Sequence, residues 1–217
     1  MLFRSQDLQI SSRGFGARSA FGVRGIRLLT DGIPATLPDG SGQTATFDLN
    51  SAERIEVMRG PFSSLYGNAS GGVIQLFTAD GPANPTLSGS VFGGSYGTYK
   101  GDLQFGGTDG RFNYNYDGSR FHTDGYRDHS TVTRDLYNAK FKMPAGNNGQ
   151  LTFVLNSIDQ PETQDPLGLN RTQLSQNARQ ADPSALLFNT RKSVRQSQLG
   201  RSEEHTSELQ SRETISY

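Results

Sequence analysis

Phe112-Asn113-Tyr114-Asn115-Tyr116-Asp117 alternates an aromatic residue with a polar one through three full periods. A strand sends successive side chains to opposite faces, so this stretch is extended, with one apolar and one polar face. The same period runs outward on both sides. Upstream, Leu103 and Phe105 alternate with Asp102 and Gln104, and Thr86 to Phe92 (TLSGSVF) places an apolar or small residue at every second position. Downstream, Leu136 to Met143 and Leu151 to Ile158 continue the pattern. In water the apolar set would cover a core; in a membrane barrel it would face lipid and the polar set would face the lumen.

The connections choose between these. Breaks at Ser95-Tyr96-Gly97, Gly107 to Gly110 and Pro144 to Gly149 are short, and those at Thr123 to Val132 and Gln160 to Asn189 are longer. From the second break onward they run short, longer, short, very long. Transmembrane barrels alternate short periplasmic turns with longer outer loops in that way. A run of about thirty residues without clear periodicity is awkward inside a compact soluble domain.

Composition agrees. Apolar residues make up 33% of the 217, and mean hydropathy is -0.60, thin for a large water-excluding core. A barrel strand needs an apolar residue only at alternate positions. The absence of cysteine excludes disulfides, cysteine-ligated metal and a thiol nucleophile. No run of about 18 apolar residues marks a membrane-spanning helix. Met1 is followed by LFRSQDLQI, which lacks the basic-then-apolar layout of a secretory leader.

Arg201 to Tyr217 (RSEEHTSELQSRETISY) reads differently from everything before it. Arg201 to Ser211 resembles the forward translation of a common short-read sequencing adapter, and 201–217 is therefore set apart from the fold. That tail holds two arginines and four glutamates, so the neutral chain becomes a fragment of about +2. No clustered basic face calls for a nucleic-acid partner.

Residues 1–80 have another texture, that of a small α+β unit. Ile26 to Thr30 predicts a strand ending at the turn Asp31-Gly32, and Pro34 to Gln43 predicts a loop. Ser51-Ala52-Glu53 predicts a helix start with Ser51 as its cap. Ile55 to Met58 predicts a strand broken at Arg59-Gly60-Pro61. Ser63 to Tyr66 predicts a helical turn closed by Gly67, and Val73 to Thr78 a strand. Asp31-Gly32 tolerates positive φ, Gly60 before Pro61 avoids the helical region, and Gly67, Gly71 and Gly72 allow close backbone approach.

Four of these segments, in order, carry a resemblance: Arg13-Gly14-Phe15; Arg27-Leu28-Leu29-Thr30-Asp31-Gly32-Ile33-Pro34; Glu53-Arg54-Ile55-Glu56-Val57-Met58-Arg59-Gly60-Pro61; and Leu65-Tyr66-Gly67 followed by Gly71-Gly72-Val73-Ile74. Together they resemble the plug domain of TonB-dependent outer-membrane receptors over roughly residues 5–80, with Ser11-Ser12 standing where aliphatics are usual. The resemblance implies an α+β plug domain at 1–80, followed at 81–200 by an antiparallel transmembrane β-barrel fragment of about six of the family's 22 strands. It implies a Gram-negative outer-membrane receptor that imports a scarce ligand, most often a ferric siderophore. An inner-membrane TonB energy-coupling complex drives such receptors through an N-terminal segment not visible before Leu8. It further implies that Arg13, Glu56 and Arg59 help dock the plug against barrel-wall charges. It places the ligand against the plug's apical loop, with Pro34, Thr36, Asp39, Gln43 and Tyr66 as candidates, and against the long loop after Gln160.

Other signals are weaker. His122 and His129 flank Asp124 and Asp128 at no closed-site metal spacing. Gly14-Phe15-Gly16 lacks the remainder of a dinucleotide fingerprint. No acid, base and nucleophile set points to an enzyme, and no cofactor is expected. The competing reading is a soluble β-rich carbohydrate- or ligand-binding module using Tyr96, Tyr99, Tyr114 and Tyr116.

Overall fold

The computed structural model describes residues 10–17, 22–36, 40–60, 63–67, 69–146 and 149–205. Pro61 and Asp39 lie outside these residues. The leading unit is a four-stranded sheet: β1 (Arg27–Thr30), β2 (Ile33–Pro34), β3 (Ala52–Met58) and β4 (Val73–Thr78), in the order β2-β1-β4-β3. β1 and β4 run parallel, whereas β1–β2 and β3–β4 are antiparallel. Asp31 and Gly32 both take positive φ, 48° and 78°, and pair Thr30 with Ile33 across a two-residue hairpin. This is the mirror-image turn whose twist matches the flanking strands. One face of the sheet buries Val23, Ile26, Leu28 and Ala35 with Phe47 and Ile74 packed on them. The other buries Leu29, Ala69 and Val73 against Met58 and Tyr66, the latter on the single-turn helix α1 (Ser63–Tyr66).

The second unit is one antiparallel meander of six strands: β5 (Thr86–Gly93), β6 (Tyr99–Asp109), β7 (Phe112–Thr123), β8 (Val132–Ala145), β9 (Gly149–Gln164) and β10 (Arg191–His205). Its order follows the sequence, so β5 and β10 are edges and the sheet is open. Pairing continues past Arg201 as far as His205 opposite Gly149. Backbone pairing is indifferent to side-chain identity.

Three expectations need correction. Ser51 caps no helix. β3 begins at Ala52 and pairs with β4, while the Ser51 hydroxyl donates to the Asp48 carbonyl and its own carbonyl accepts Ala79 N–H. Tertiary pairing with a neighbouring strand outweighs a local capping signal. The strands are also longer than their periodic cores. β6 runs through Gly107 to Asp109, β8 through Pro144 to Ala145, and β9 to Gln164. Pro161 is tolerated because the register shifts on both neighbouring strands near it, between Thr133 and Asp135 and between Lys192 and Val194. Finally, the long connection is not featureless. It carries α2 (Arg171–Gln176), started by a reciprocal Asn170–Gln173 capping box, and α3 (Pro183–Leu187), capped by Asp182.

Register sorts the side chains. Leu103, Phe105, Tyr116, Tyr137, Leu155 and Leu199 all lie on the sheet face turned away from the leading unit, and all are exposed. On the opposite face Asn115, Asp117, Ser119, Asn138 and Lys140 are buried, with Leu136, Val154 and Ile158 among them. An exposed apolar belt outside and a largely polar buried face inside match a lipid-embedded barrel wall. Leu155→Arg, near the middle of β9, should therefore cost about 2–4 kcal/mol in the complete lipid-embedded protein. A urea titration in vesicles reads it; a cost near zero would favour the soluble module. Among the described residues no helix is long and apolar enough to cross a membrane.

Candidate functional site: the seam between the two units and the outer loop end

The polar face of the six-stranded sheet is where the leading unit docks. At its centre is Lys140 of β8, only 6% exposed. Its ammonium donates to the Thr78 carbonyl at 2.7 Å, lies 3.3 Å from Asp31 Oδ1 and 2.9 Å from Asp80 Oδ1. Asp31 is equally buried. Besides Lys140 it accepts the Thr78 N–H at 3.0 Å and the Thr78 hydroxyl at 2.6 Å. The hairpin turn read from sequence thus has a second role, aiming a carboxylate at the facing strand. Lys142, one period along β8, takes the other Asp80 oxygen at 2.5 Å.

The chain leaves the leading unit along the same face. Asn115 donates to the Ala79 carbonyl, and Asn113 both accepts the Gly81 N–H and donates to the Gly81 carbonyl. Further along the seam, Lys100 donates to Asn50 Oδ1 at 2.6 Å and Gln104 to the Asn50 carbonyl at 2.8 Å. On the far side Gln198 donates to the Pro34 carbonyl, and Lys192 donates to Gln43 Oε1 at 2.8 Å. None of these wall residues was singled out from sequence. The signal was present, because each sits in the polar phase of its strand.

Burial opposes ionisation of Asp80, but the hydrogen bonds from Lys142 and Lys140, with their charges, hold its carboxyl below the usual range. A carboxyl with a depressed folded-state value adds stability above its unfolded value, near 3.9, and loses it as pH falls through the folded one. Acidification below about pH 4 should loosen the seam, and Asp80→Asn should remove part of that acid response. Proteolysis of the leading unit across pH 5 to 2.5 measures it.

The other end of the sheet carries the long connections. Arg127, between β7 and β8, donates to the carbonyls of Pro166, Leu167 and Gln180 and so ties the long loop to its neighbour. Tyr96 and Tyr126 meet edge to face with centroids 5.5 Å apart, and the Arg179 guanidinium lies 5.7 and 5.8 Å from the two rings. Hydrogen bonds from the Ser184 hydroxyl and N–H hold the Asp182 carboxyl below its usual range. His122 and His129 have local partners: His122 meets the Thr133 hydroxyl, Asp124 and the Tyr99 ring, and His129 the Thr190 carbonyl. No metal-holding group of three or more acids or histidines occurs among the described residues.

The residues named from sequence are spread around the leading unit. Arg13 and Gly14 form a second positive-φ turn, closed by Ser12 and Phe15. Gly71 and Gly72 line a cavity of about 290 Å³ with Arg13, Met58 and Arg59. Arg54 pairs with Glu56 at 2.9 Å, lies 3.9 Å from Glu53, and sits over the Phe77 ring. β3, with Glu53, Glu56 and exposed Ile55 and Val57, lies on the sheet edge, and no described ion pair joins Arg13, Glu56 or Arg59 to the six-stranded sheet. Gly60 (φ 142°) follows β3, and Gly67 (φ 71°) closes α1. Among the ligand candidates, Pro34 and Gln43 contact β10, Thr36 is buried with its hydroxyl unpartnered, and Tyr66 packs on the Leu29–Ala69–Val73 core.

A small mixed sheet docked by a polar seam onto an open six-stranded wall with an apolar outer belt is the arrangement of a plug against the first strands of a barrel. Residues 2–73 match the family model "TonB-dependent Receptor Plug Domain". The chain is 34% identical over 109 residues to the "Vitamin B12 transporter BtuB" of Photobacterium profundum, a match that covers 46% of this chain and 18% of that protein. Its structure is similar to "Copper transporter OprC", with TM-score 0.54 and 17% identity over 66% of this chain and 25% of that one. It is also similar to the pyoverdine outer membrane receptor FpvA of Pseudomonas aeruginosa PAO1, with TM-score 0.51 and 19% identity over 62% and 20%. At these identities the solved structures speak to the fold alone. The chain spans about a fifth of the length of the curated relative it matches. The leading third is a TonB-dependent receptor plug domain, and the chain resembles these receptors from the plug into the first barrel strands. Its place is the outer membrane of a Gram-negative bacterium.

Proposed function

We propose that the chain is the plug and leading wall of an energy-coupled receptor that imports a scarce ligand, with a ferric siderophore as the ligand class and a TonB complex as the energy source. The observation that carries the reading is the polar seam. A plug held by hydrogen bonds and ion pairs, rather than by an apolar core, can be displaced through water without exposing a large apolar surface. The outer end supports a ligand-facing role. Gln43 of the plug reaches Lys192 directly below the long loop, so the Pro34-to-Gln43 segment and that loop border one region. Tyr96, Tyr126 and Arg179 present aromatic faces and a cation there, which suits a large, flat, anionic chelate better than a small neutral solute.

The relatives' printed ligands differ: vitamin B12, copper and pyoverdine. The test is therefore comparative. The complete receptor gene, restored to a receptor-deleted strain, should support growth on a ferric siderophore as sole iron source, and only while the TonB system is intact. Growth rescue by cobalamin or copper alone, with none by any ferric siderophore, would replace the ligand class. Equal uptake without TonB would overturn the energy coupling.

A further inference from the structure

Three connections far apart in sequence meet at the outer end of the sheet: 94–98 between β5 and β6, 124–131 between β7 and β8, and 165–190 between β9 and β10. The last is held by little packing. Its buried apolar residues are Ala181 and Ala185, while Leu174, Leu186, Leu187 and Phe188 are exposed. Two buried methyl groups contribute little against the entropy of ordering a connection of this length.

Arg127 supplies what packing does not. Its Nη1 donates to the Leu167 carbonyl at 2.6 Å, and its Nη2 to the Pro166 and Gln180 carbonyls at 3.1 and 2.8 Å. Its Nε donates to the Gln180 carbonyl again, at 3.0 Å. The fork thus joins the two ends of one loop segment, which the Asp182 N–H closes onto the Pro166 carbonyl at 2.9 Å. Only a planar, multi-donor guanidinium spans several carbonyls in this way; an ammonium is a point donor. Beside it, the Asp128 N–H donates to the Arg179 carbonyl at 2.7 Å, and Arg179 Nε donates to the Tyr126 carbonyl at 3.2 Å. Residues 126–128 and 179–180 are thereby cross-linked, and the Arg179 guanidinium is brought beside the Tyr126 and Tyr96 rings. Tyr96 is fixed separately, its carbonyl accepting the Asp124 N–H at 2.9 Å.

We propose that Arg127 is the positioning residue of the outer site: it locks the long connection so that Arg179 stands between Tyr96 and Tyr126 before any ligand arrives. The proposal rests on the reading of this end as ligand-facing and adds how the site is held. A flat anionic chelate then meets two ring faces and a cation already in place. Ordering a loop and a rotamer-rich arginine at the moment of binding would weaken affinity, and a surface ordered in advance avoids that cost. Arg127 itself touches no ligand, because its donors are spent on the loop carbonyls.

The experiment uses the complete receptor in detergent micelles, with the ferric complex of 2,3-dihydroxybenzoate as a flat anionic probe. Without probe, Arg127→Gln should speed hydrogen exchange of the Asp128 and Asp182 amides at least about tenfold and leave the β7 and β8 amides around Tyr116 as in wild type. Arg127→Lys, which keeps the charge and loses the fork, should restore only part of that protection. Arg179→Gln should leave the Asp182 amide protected, because Arg127 still holds the segment. In calorimetry with the probe, Arg127→Gln and Arg179→Gln should each weaken binding about tenfold, and the double variant no more than Arg179→Gln alone. Unchanged exchange in Arg127→Gln overturns the proposal. Additive losses in the double variant overturn it too, since Arg127 would then not act through Arg179. If wild type does not take the probe, the ligand reading fails, and the exchange of the Asp128 amide, bonded to Arg179 itself, alone upholds or overturns the role of Arg127.

Discussion

Lys140→Met will detach the plug from this part of the wall, at a cost of about 3 kcal/mol to docking in the complete receptor. The methionine fills much of the volume, so packing is nearly conserved and the loss is electrostatic. Lys140 is the donor shared by the Thr78 carbonyl, Asp31 and Asp80. Without it, Asp80 keeps Lys142, and Asp31 keeps the two Thr78 donors. Asp31 remains a buried anion with its counter-charge gone, and that uncompensated charge dominates the cost. Asp31→Asn alone should also destabilise docking, because it leaves the Lys140 ammonium facing an amide. The double variant should be less damaging than the sum of the two, with a coupling of about 1–3 kcal/mol. Urea titration of plug protection in the four proteins closes the cycle. Additive costs would show that the ion pair does not couple plug to wall.

Gly72→Ala should prevent the plug from assembling correctly, with a loss of at least about 3 kcal/mol. Gly72 sits at φ 120°, where a side chain is strained whatever the space. A Cβ there would also lie 2.5 Å from the Met58 carbonyl oxygen. That oxygen belongs to the end of β3, whose Met58 pairs with Val73 of β4, so moving it breaks the ladder. The adjacent Gly72 carbonyl accepts Arg27 N–H at the start of β1. One methyl group thus pushes on the junction of three strands. Gly32→Ala is the control: it too has positive φ, 78°, but nothing lies within 4 Å of its Cβ, so only the turn strain of about 1 kcal/mol remains. Far-ultraviolet circular dichroism and thermal melts of the two variants separate clash from strain. Equal effects would show that the approach to Met58 does not matter.

The difference between these glycines marks the limit of a reading from sequence. Asp31-Gly32 was legible as a turn because the pair's backbone preference is local. That Asp31 also anchors Lys140, 109 positions later, was not. Ser51 was misread for the same reason. Its capping signal is local, while the β4 strand that recruits Ala52 to Met58 arrives fifteen residues afterwards. The wall was easier, since a six-stranded meander pairs only neighbours in sequence and each strand carries its own period. Polar positions such as Asn113, Asn115 and Asp117 could be assigned to the inner face, but not to partners in the plug.

The amino-acid sequence by itself determined what depends on short range: strand periodicity, the order of short and long connections, the two-residue turn, and the motif order of the plug. Those features follow from backbone geometry and from which face meets lipid, and both are written residue by residue. Only the tertiary structure decided which polar residues meet across the seam. Lys140 becomes a buried ion-pair centre because two sheets come together there. The energy of a charge depends on its neighbours and on the water it loses, and neither is encoded at the position of the charge itself.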